Sequence, residues 1–127
     1  DHLFVGIFPA LQEAGIAALF DPKSEEAVAQ LNATYDSRRD AFVQAAAKIG
    51  WQAFPSRGSF YAWMPVPEGY TSESFADLLL EKAHVAVAPG KGFGPAGDAY
   101  VRIGLLVEPE RLVEAVNRIA NLHLFNN

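Results

Sequence analysis

The sequence predicts an α+β fold: a small, mostly antiparallel sheet covered by helices, with a long lead-in helix. Three observations lead there. Tyr100-Val101-Arg102-Ile103-Gly104-Leu105 alternates apolar with other residues, the period of two of a strand with one buried face. After Pro109, Leu112, Val113, Val116, Ile119 and Ala120 recur at helical spacing. Between Asp21-Pro22 and Gly50 lies a third pattern, a helical stripe without an internal proline or glycine.

Taken in order, residues 3–20 are nearly all apolar, broken by Gly6, Pro9 and Gly15. Pro9 suits the first turn of a helix over about Ala10 to Leu19. That helix is apolar on most of its circumference, through Leu11, Ala14, Ile16, Ala17, Ala18 and Leu19. A helix of that kind needs neighbours on several sides. The segment is therefore expected to pack against something outside this sequence, either a larger part of the same protein or another subunit. Asp21 as N-cap and Pro22 at the first helical position open a second helix, with Glu25 and Glu26 near its positive end. Val28, Leu31, Tyr35, Phe42, Ala46 and Ile49 share one stripe, and Gly50 closes it. An unbroken helix and one broken near Asn32 to Asp36 both fit, and Asp36-Ser37-Arg38-Arg39-Asp40 reads as a solvated face.

Trp51 to Phe54 and Ser59 to Met64 read as a hairpin around Pro55-Ser56-Arg57-Gly58. Thr71 or Ser72 caps a helix whose inner face carries Phe75, Leu78, Leu79 and Ala83. Val85 to Ala88 reads as a short buried strand, and His84 before it as a partly exposed capping residue. The last helix starts at Pro109, with Glu114 and Arg118 paired across one turn, and the chain ends in a frayed Phe125-Asn126-Asn127. The domain division that follows is a lead-in helical segment, residues 1–35, and a small domain, residues 36–127. The chain begins at Asp1 without an initiator Met and is read as part of a longer protein.

Composition narrows the function. Half of the 127 residues are hydrophobic and a fifth are charged, as in an ordinary globular domain. A net charge of −5 argues against nucleic acid, whose phosphates call for basic clusters. No apolar run reaches the ~20 residues of a membrane span, so no membrane partner is expected. With no cysteine and no signal-peptide shape, the sequence fits a cytoplasmic protein. His2, His84 and His123 are far apart in sequence, so no metal site is expected. The serines lack a nucleophile elbow, and the paired glutamates read as helix-terminal charges. Trp51, Phe54, Phe60, Tyr61 and Trp63 read as core and interface packing.

The residue that stands out is Arg102. On its strand it lies opposite the apolar set Val101, Ile103 and Leu105, hence away from the core. Its guanidinium is permanently charged, and its planar fork matches a carboxylate or phosphate. An anion clamp is one reading; an ion pair with a helix carboxylate is the other. The preceding loop contains Gly92-Phe93-Gly94-Pro95-Ala96-Gly97, formally G-x-G-x-x-G. That string binds dinucleotides when it opens a helix, whereas here it runs into strand and contains Pro95. It reads instead as a wide turn, with Lys91 an exposed loop lysine.

The order Pro89-Gly90-x-x-Phe93-Gly94-x-x-Gly97-x-x-x-x-Arg102 between apolar strands resembles the C-terminal region of class I/II aminotransferases, pyridoxal-phosphate enzymes of the aspartate aminotransferase superfamily. Phe54-Pro55-x-x-Gly58-Ser59-Phe60-Tyr61-x-Trp63 is similar to the family's small-domain hairpin, and Ser74 to Gly90 and the closing helix also fit. The resemblance implies the C-terminal small domain of the pyridoxal-phosphate transferase fold. It implies that Arg102 grips the substrate α-carboxylate, that amino acids and 2-oxo acids are the substrates, and that the full-length protein is a homodimer. In the family a lysine forms a Schiff base with pyridoxal phosphate. Lys23, Lys48, Lys82 and Lys91 all lack the family's Ser-x-x-Lys setting. No catalytic and no cofactor-binding residue is therefore assigned, and the chain alone is expected to be inactive and to bind no cofactor. Alternatives are a carbon–sulfur lyase on the same fold, or a binding or assembly module without chemistry.

Overall fold

The computed structural model describes residues 6–125. The chain divides into two compact units, the first ending at Thr34 and the second beginning at Tyr35. Leu3, Phe4 and Val5 of the apolar N-terminal run lie outside the described residues, as do His2, Asn126 and Asn127.

In the first unit, α1 spans Pro9–Phe20 with the proline at its first turn, where a missing N–H costs nothing. It buries none of its residues. Asp21 closes α1 through its backbone N–H, which donates to the Ala17 carbonyl at 3.0 Å. Its carboxylate accepts from the Lys23 N–H at 2.8 Å, so it caps the turn that leads into α2, Ser24–Lys48, rather than the helix itself. That second helix is continuous through residues 32–36, which removes the break as an alternative. Only the C-terminal half of its apolar stripe is used for packing: Phe42 and Ala46 are buried, while Val28 and Leu31 are exposed.

The second unit holds the sheet. Strands β1 (Tyr61–Pro65), β2 (Ala88–Pro89) and β3 (Tyr100–Gly104) lie in the order β1-β3-β2, both pairs antiparallel. The α+β expectation holds. One face of the sheet presents Ala62 and Met64 from β1 and Val101 and Ile103 from β3, continued by Leu105. Against it pack Phe42 and Ala46 of α2, Phe75 of α3 (Ser72–Leu78), and Leu112, Val116 and Ile119 of α4 (Pro109–Ala120). The second face carries Tyr61, Trp63, Tyr100 and Arg102, all partly exposed.

Three sequence expectations change here. Trp51 to Phe54 forms no strand; it meets β1 through one backbone bond, Phe54 N–H to the Trp63 carbonyl at 3.0 Å. Trp51 turns into the core instead, and Pro55 has no N–H to extend a ladder. The strand expected over Val85 to Ala88 shrinks to Ala88–Pro89, because the last turn of α3 widens into a π-helical turn at Leu79–Ala83 that carries the chain onward. His84 ends that turn in the left-handed region at φ 55, exposed, as a capping residue should be. Finally, the charged midsection of α2 is not wholly solvated. The Arg38 side chain is 15% exposed and donates to Glu108, the N-cap of α4, at 2.8 Å, while Arg39 pairs with Asp36 and Asp40 on the outside.

Candidate functional site

Arg102 occupies the central strand, in register with Trp63 of β1 and Ala88 of β2. Two hydrogen-bonded neighbours fix its backbone, and the alternation of β3 directs its side chain to the open face. The guanidinium carbon sits over two aromatic rings, 4.0 Å from the centroid of Tyr61 and 4.1 Å from that of Phe93. Both distances lie within the range of cation–π attraction. Among the described residues no carboxylate forms an ion pair with Arg102; the ion pairs join Arg38, Arg39, Lys91 and Arg118 to their acids. The ion pair with a helix carboxylate is thus not the arrangement adopted. A cation held by ring faces keeps its N–H donors available for an incoming anion.

Phe93 comes from the glycine loop, and the loop's shape explains how it arrives. Gly90–Phe93 and Pro95–Ala99 are two 3₁₀ turns hinged at Gly94, whose φ of 125 only glycine adopts readily. The loop then enters β3, not a helix, so the dinucleotide context is absent from its geometry. It is fastened to the start of α3. The buried Ser72 hydroxyl donates to the Asp98 carboxylate at 2.6 Å, and the Ser72 N–H donates to the same oxygen at 3.2 Å. The Lys91 N–H donates to the Ser72 hydroxyl at 3.3 Å, and Lys91 Nζ pairs with Glu73 at 2.7 Å. Lys91 is the exposed loop lysine expected, with a partner.

The Ser72 hydroxyl holds the Asp98 carboxyl below its ordinary value of 3.8, helped by the Ser72 N–H and the Lys91 charge against partial desolvation. A lowered folded value means that the unfolded chain takes up the proton first as pH falls. The stabilisation is therefore full above 3.8 and is lost as pH drops through the lower folded value. Urea midpoints of wild type and Asp98→Asn, compared between about pH 2 and 6, should differ by a constant amount at the upper end and converge at the lower end. A difference independent of pH would show that the carboxylate charge does not hold this clip.

Beside the Arg102 cluster, Phe54, Trp63, Phe93, Ala96, Gly97 and Tyr100 line an apolar cleft of about 280 Å³. The aromatic residues grouped in the sequence therefore separate. Trp51 enters the core, Phe54 and Trp63 line this cleft, and Tyr61 joins Arg102.

The family model described as "Aminotransferase class I and II" matches residues 3–119. This chain belongs to the class I and II aminotransferases. It is 57% identical over 125 residues to the L-glutamine–4-(methylsulfanyl)-2-oxobutanoate aminotransferase of Bacillus subtilis (strain 168), covering 98% of this chain and 31% of that protein. It is 46% identical to the LL-diaminopimelate aminotransferase of Moorella thermoacetica, covering 90% of this chain and 29% of the relative. Among solved structures, substrate-bound BacF from Bacillus subtilis superposes with a TM-score of 0.87 at 42% identity, over 98% of this chain and 32% of that one. The aromatic aminotransferase of Pyrococcus horikoshii OT3 gives 0.82 at 37% identity, over 87% of this chain and 30% of its own. The chain thus spans about three tenths of the aminotransferases it matches.

This aminotransferase family implies pyridoxal phosphate in the full-length enzyme. All four lysines of this chain, Lys23, Lys48, Lys82 and Lys91, are exposed, and Lys91 is ion-paired with Glu73. What sequence reasoning missed on the aminotransferase segment are the two rings around Arg102. Tyr61 was readable as a residue on the same strand face as Trp63; Phe93, on an irregular loop, gave no periodic signal.

Proposed function

We propose that this chain is the C-terminal small domain, with its lead-in helices, of a pyridoxal-phosphate-dependent aminotransferase, and that Arg102 binds the substrate α-carboxylate. One observation carries the assignment of Arg102: a permanent cation on a rigid central strand, over two ring faces, without a carboxylate partner among the described residues. The relatives are named for different side chains, glutamine in one and diaminopimelate in the other. What such amino acids and their 2-oxo acids share is the α-carboxylate. One clamp serves both directions of amino transfer, and this chain's contribution is to bind and orient rather than to move the proton. Alone it is inactive on this reading, since none of its four lysines has the family's Ser-x-x-Lys setting.

The same reading accounts for residues 1–35 as a segment that packs on a large domain or a partner subunit of a homodimer. Ile7, Phe8, Leu11, Leu19 and Phe20 are each more than half exposed, a density of apolar surface that usually marks an interface. No helix among the described residues is long and apolar enough to cross a membrane, so a lipid span does not account for that surface.

The test is made in the full-length enzyme. Arg102→Ala should lower kcat/KM by about 2–4 kcal/mol, the order for a lost charged contact with substrate. Arg102→Lys should recover only part of this, because an ammonium keeps the charge without the planar fork. Unaltered kinetics in a folded Arg102→Ala enzyme would sink the assignment.

A further inference from the structure

We propose that Tyr61 and Phe93 are positioning residues for the carboxylate clamp, holding the Arg102 guanidinium so that a substrate meets it along its N–H edge; the proposal rests on the assignment of Arg102 above. A free arginine side chain has many rotamers, and ordering it on binding costs affinity. Here the ordering is already done. The guanidinium carbon lies 4.0 Å from one ring centroid and 4.1 Å from the other, and each ring is held from a different part of the fold. Tyr61 is fixed in β1 opposite Gly104, and its ring also packs on Phe60 at 4.6 Å. Phe93 is fixed by the loop clip through Ser72, Asp98 and Lys91, and its ring meets Trp63 edge-on at 5.6 Å.

Both ring faces lie against the guanidinium carbon, at 4.0 and 4.1 Å from their centroids, whereas the donors point outward in the guanidinium plane. A carboxylate approaching in that plane meets two parallel N–H groups, the bidentate geometry. The rings also supply cation–π attraction without neutralising the charge, which an aspartate or glutamate in either place would do. An acidic neighbour would hold the arginine equally still and compete with the substrate. Aromatic neighbours hold it and leave the anion site open.

The positions differ in a way that makes the idea testable. Phe93 is half exposed, so removing its ring leaves the core untouched. In the full-length enzyme, Phe93→Leu and Tyr61→Leu should raise KM for both the amino acid and the 2-oxo acid by about three- to thirtyfold, with kcat changed far less. Phe93→Trp and Tyr61→Phe, which retain a ring face, should restore KM towards wild type. A merely structural role would instead lower the amount of active enzyme, and with it apparent kcat, at constant KM. A second readout is spectroscopic and uses the same full-length enzyme. The Arg102 Nε–H proton resonance should lie upfield of the other arginines through ring currents, and Phe93→Leu should move it downfield. If Arg102→Lys cripples the enzyme while both leucine variants keep wild-type KM, the positioning role is overturned and the clamp stands. If Arg102→Lys has wild-type KM, the clamp falls and this inference falls with it.

Discussion

Replacing Trp51 with alanine is expected to destabilise the second unit by about 3–5 kcal/mol, the range for emptying a large aromatic from a core. Trp51 is 1% exposed and is the largest of the fully buried side chains. Its ring meets Phe42 of α2 and Phe75 of α3 edge-on, at 6.2 and 5.9 Å, and stacks on Phe125 at 5.1 Å. One side chain therefore joins α2, α3 and the segment after α4. Its backbone N–H closes the end of α2 on the Ala46 carbonyl at 2.9 Å, and its indole N–H donates to the Pro65 carbonyl at 2.8 Å, at the end of β1. Trp51→Phe should cost less, about 1–3 kcal/mol, because it preserves much of the ring packing and leaves the Pro65 carbonyl without its donor. Urea unfolding of the three proteins decides the matter; similar midpoints for wild type and Trp51→Ala would show that this contact does not bind the helices to the sheet.

Trp51 also shows where the sequence was legible and where it was not. Its aromatic, β-prone neighbourhood suggested a strand, and the alternation from Tyr61 onward suggested its partner. The actual partner of β1 is β3, about forty residues later, since a ladder is chosen by which faces can be buried together. Local pattern contains no information on that choice. The helices fared better, because Pro9, Thr71 and Pro109 mark their own starts chemically. The opposite half of that lesson is α2, whose stripe continues past the residues that have a core to face: Val28 and Leu31 match Phe42 in period but not in burial. For the candidate site, alternation along β3 sufficed to point Arg102 away from the core. The surroundings of its guanidinium were not legible, since Tyr61 and Phe93 are brought to it by sheet register and by a clipped loop.

Gly90→Ala and Gly97→Ala should each cost about 3 kcal/mol, at the upper end for overpacking, while Gly92→Ala in the same loop should stay within about 0.5 kcal/mol of wild type. The reason is a close crossing of backbone. A methyl group on Gly90 would collide with the carbonyl oxygens of Gly97 and Tyr100, and one on Gly97 would collide with the Gly90 carbonyl. Neither glycine has a positive φ, so the requirement is for space and not for an unusual conformation. A methyl on Gly92 would meet nothing within 4 Å. Relief at either crossing position needs the two 3₁₀ turns to move apart. Such movement pulls on Lys91 and Asp98, both tied to Ser72, and on Phe93 beside Arg102. Because both methyl groups strain the same crossing, turns already parted by the first substitution accept the second more easily. The double variant is therefore expected to lose less than the sum of the single losses. Denaturant midpoints for the four variants test this. A Gly90→Ala protein as stable as Gly92→Ala would mean that the turns do not cross as closely as these contacts require, and with that the fastening of Phe93 beside Arg102 would lose its basis.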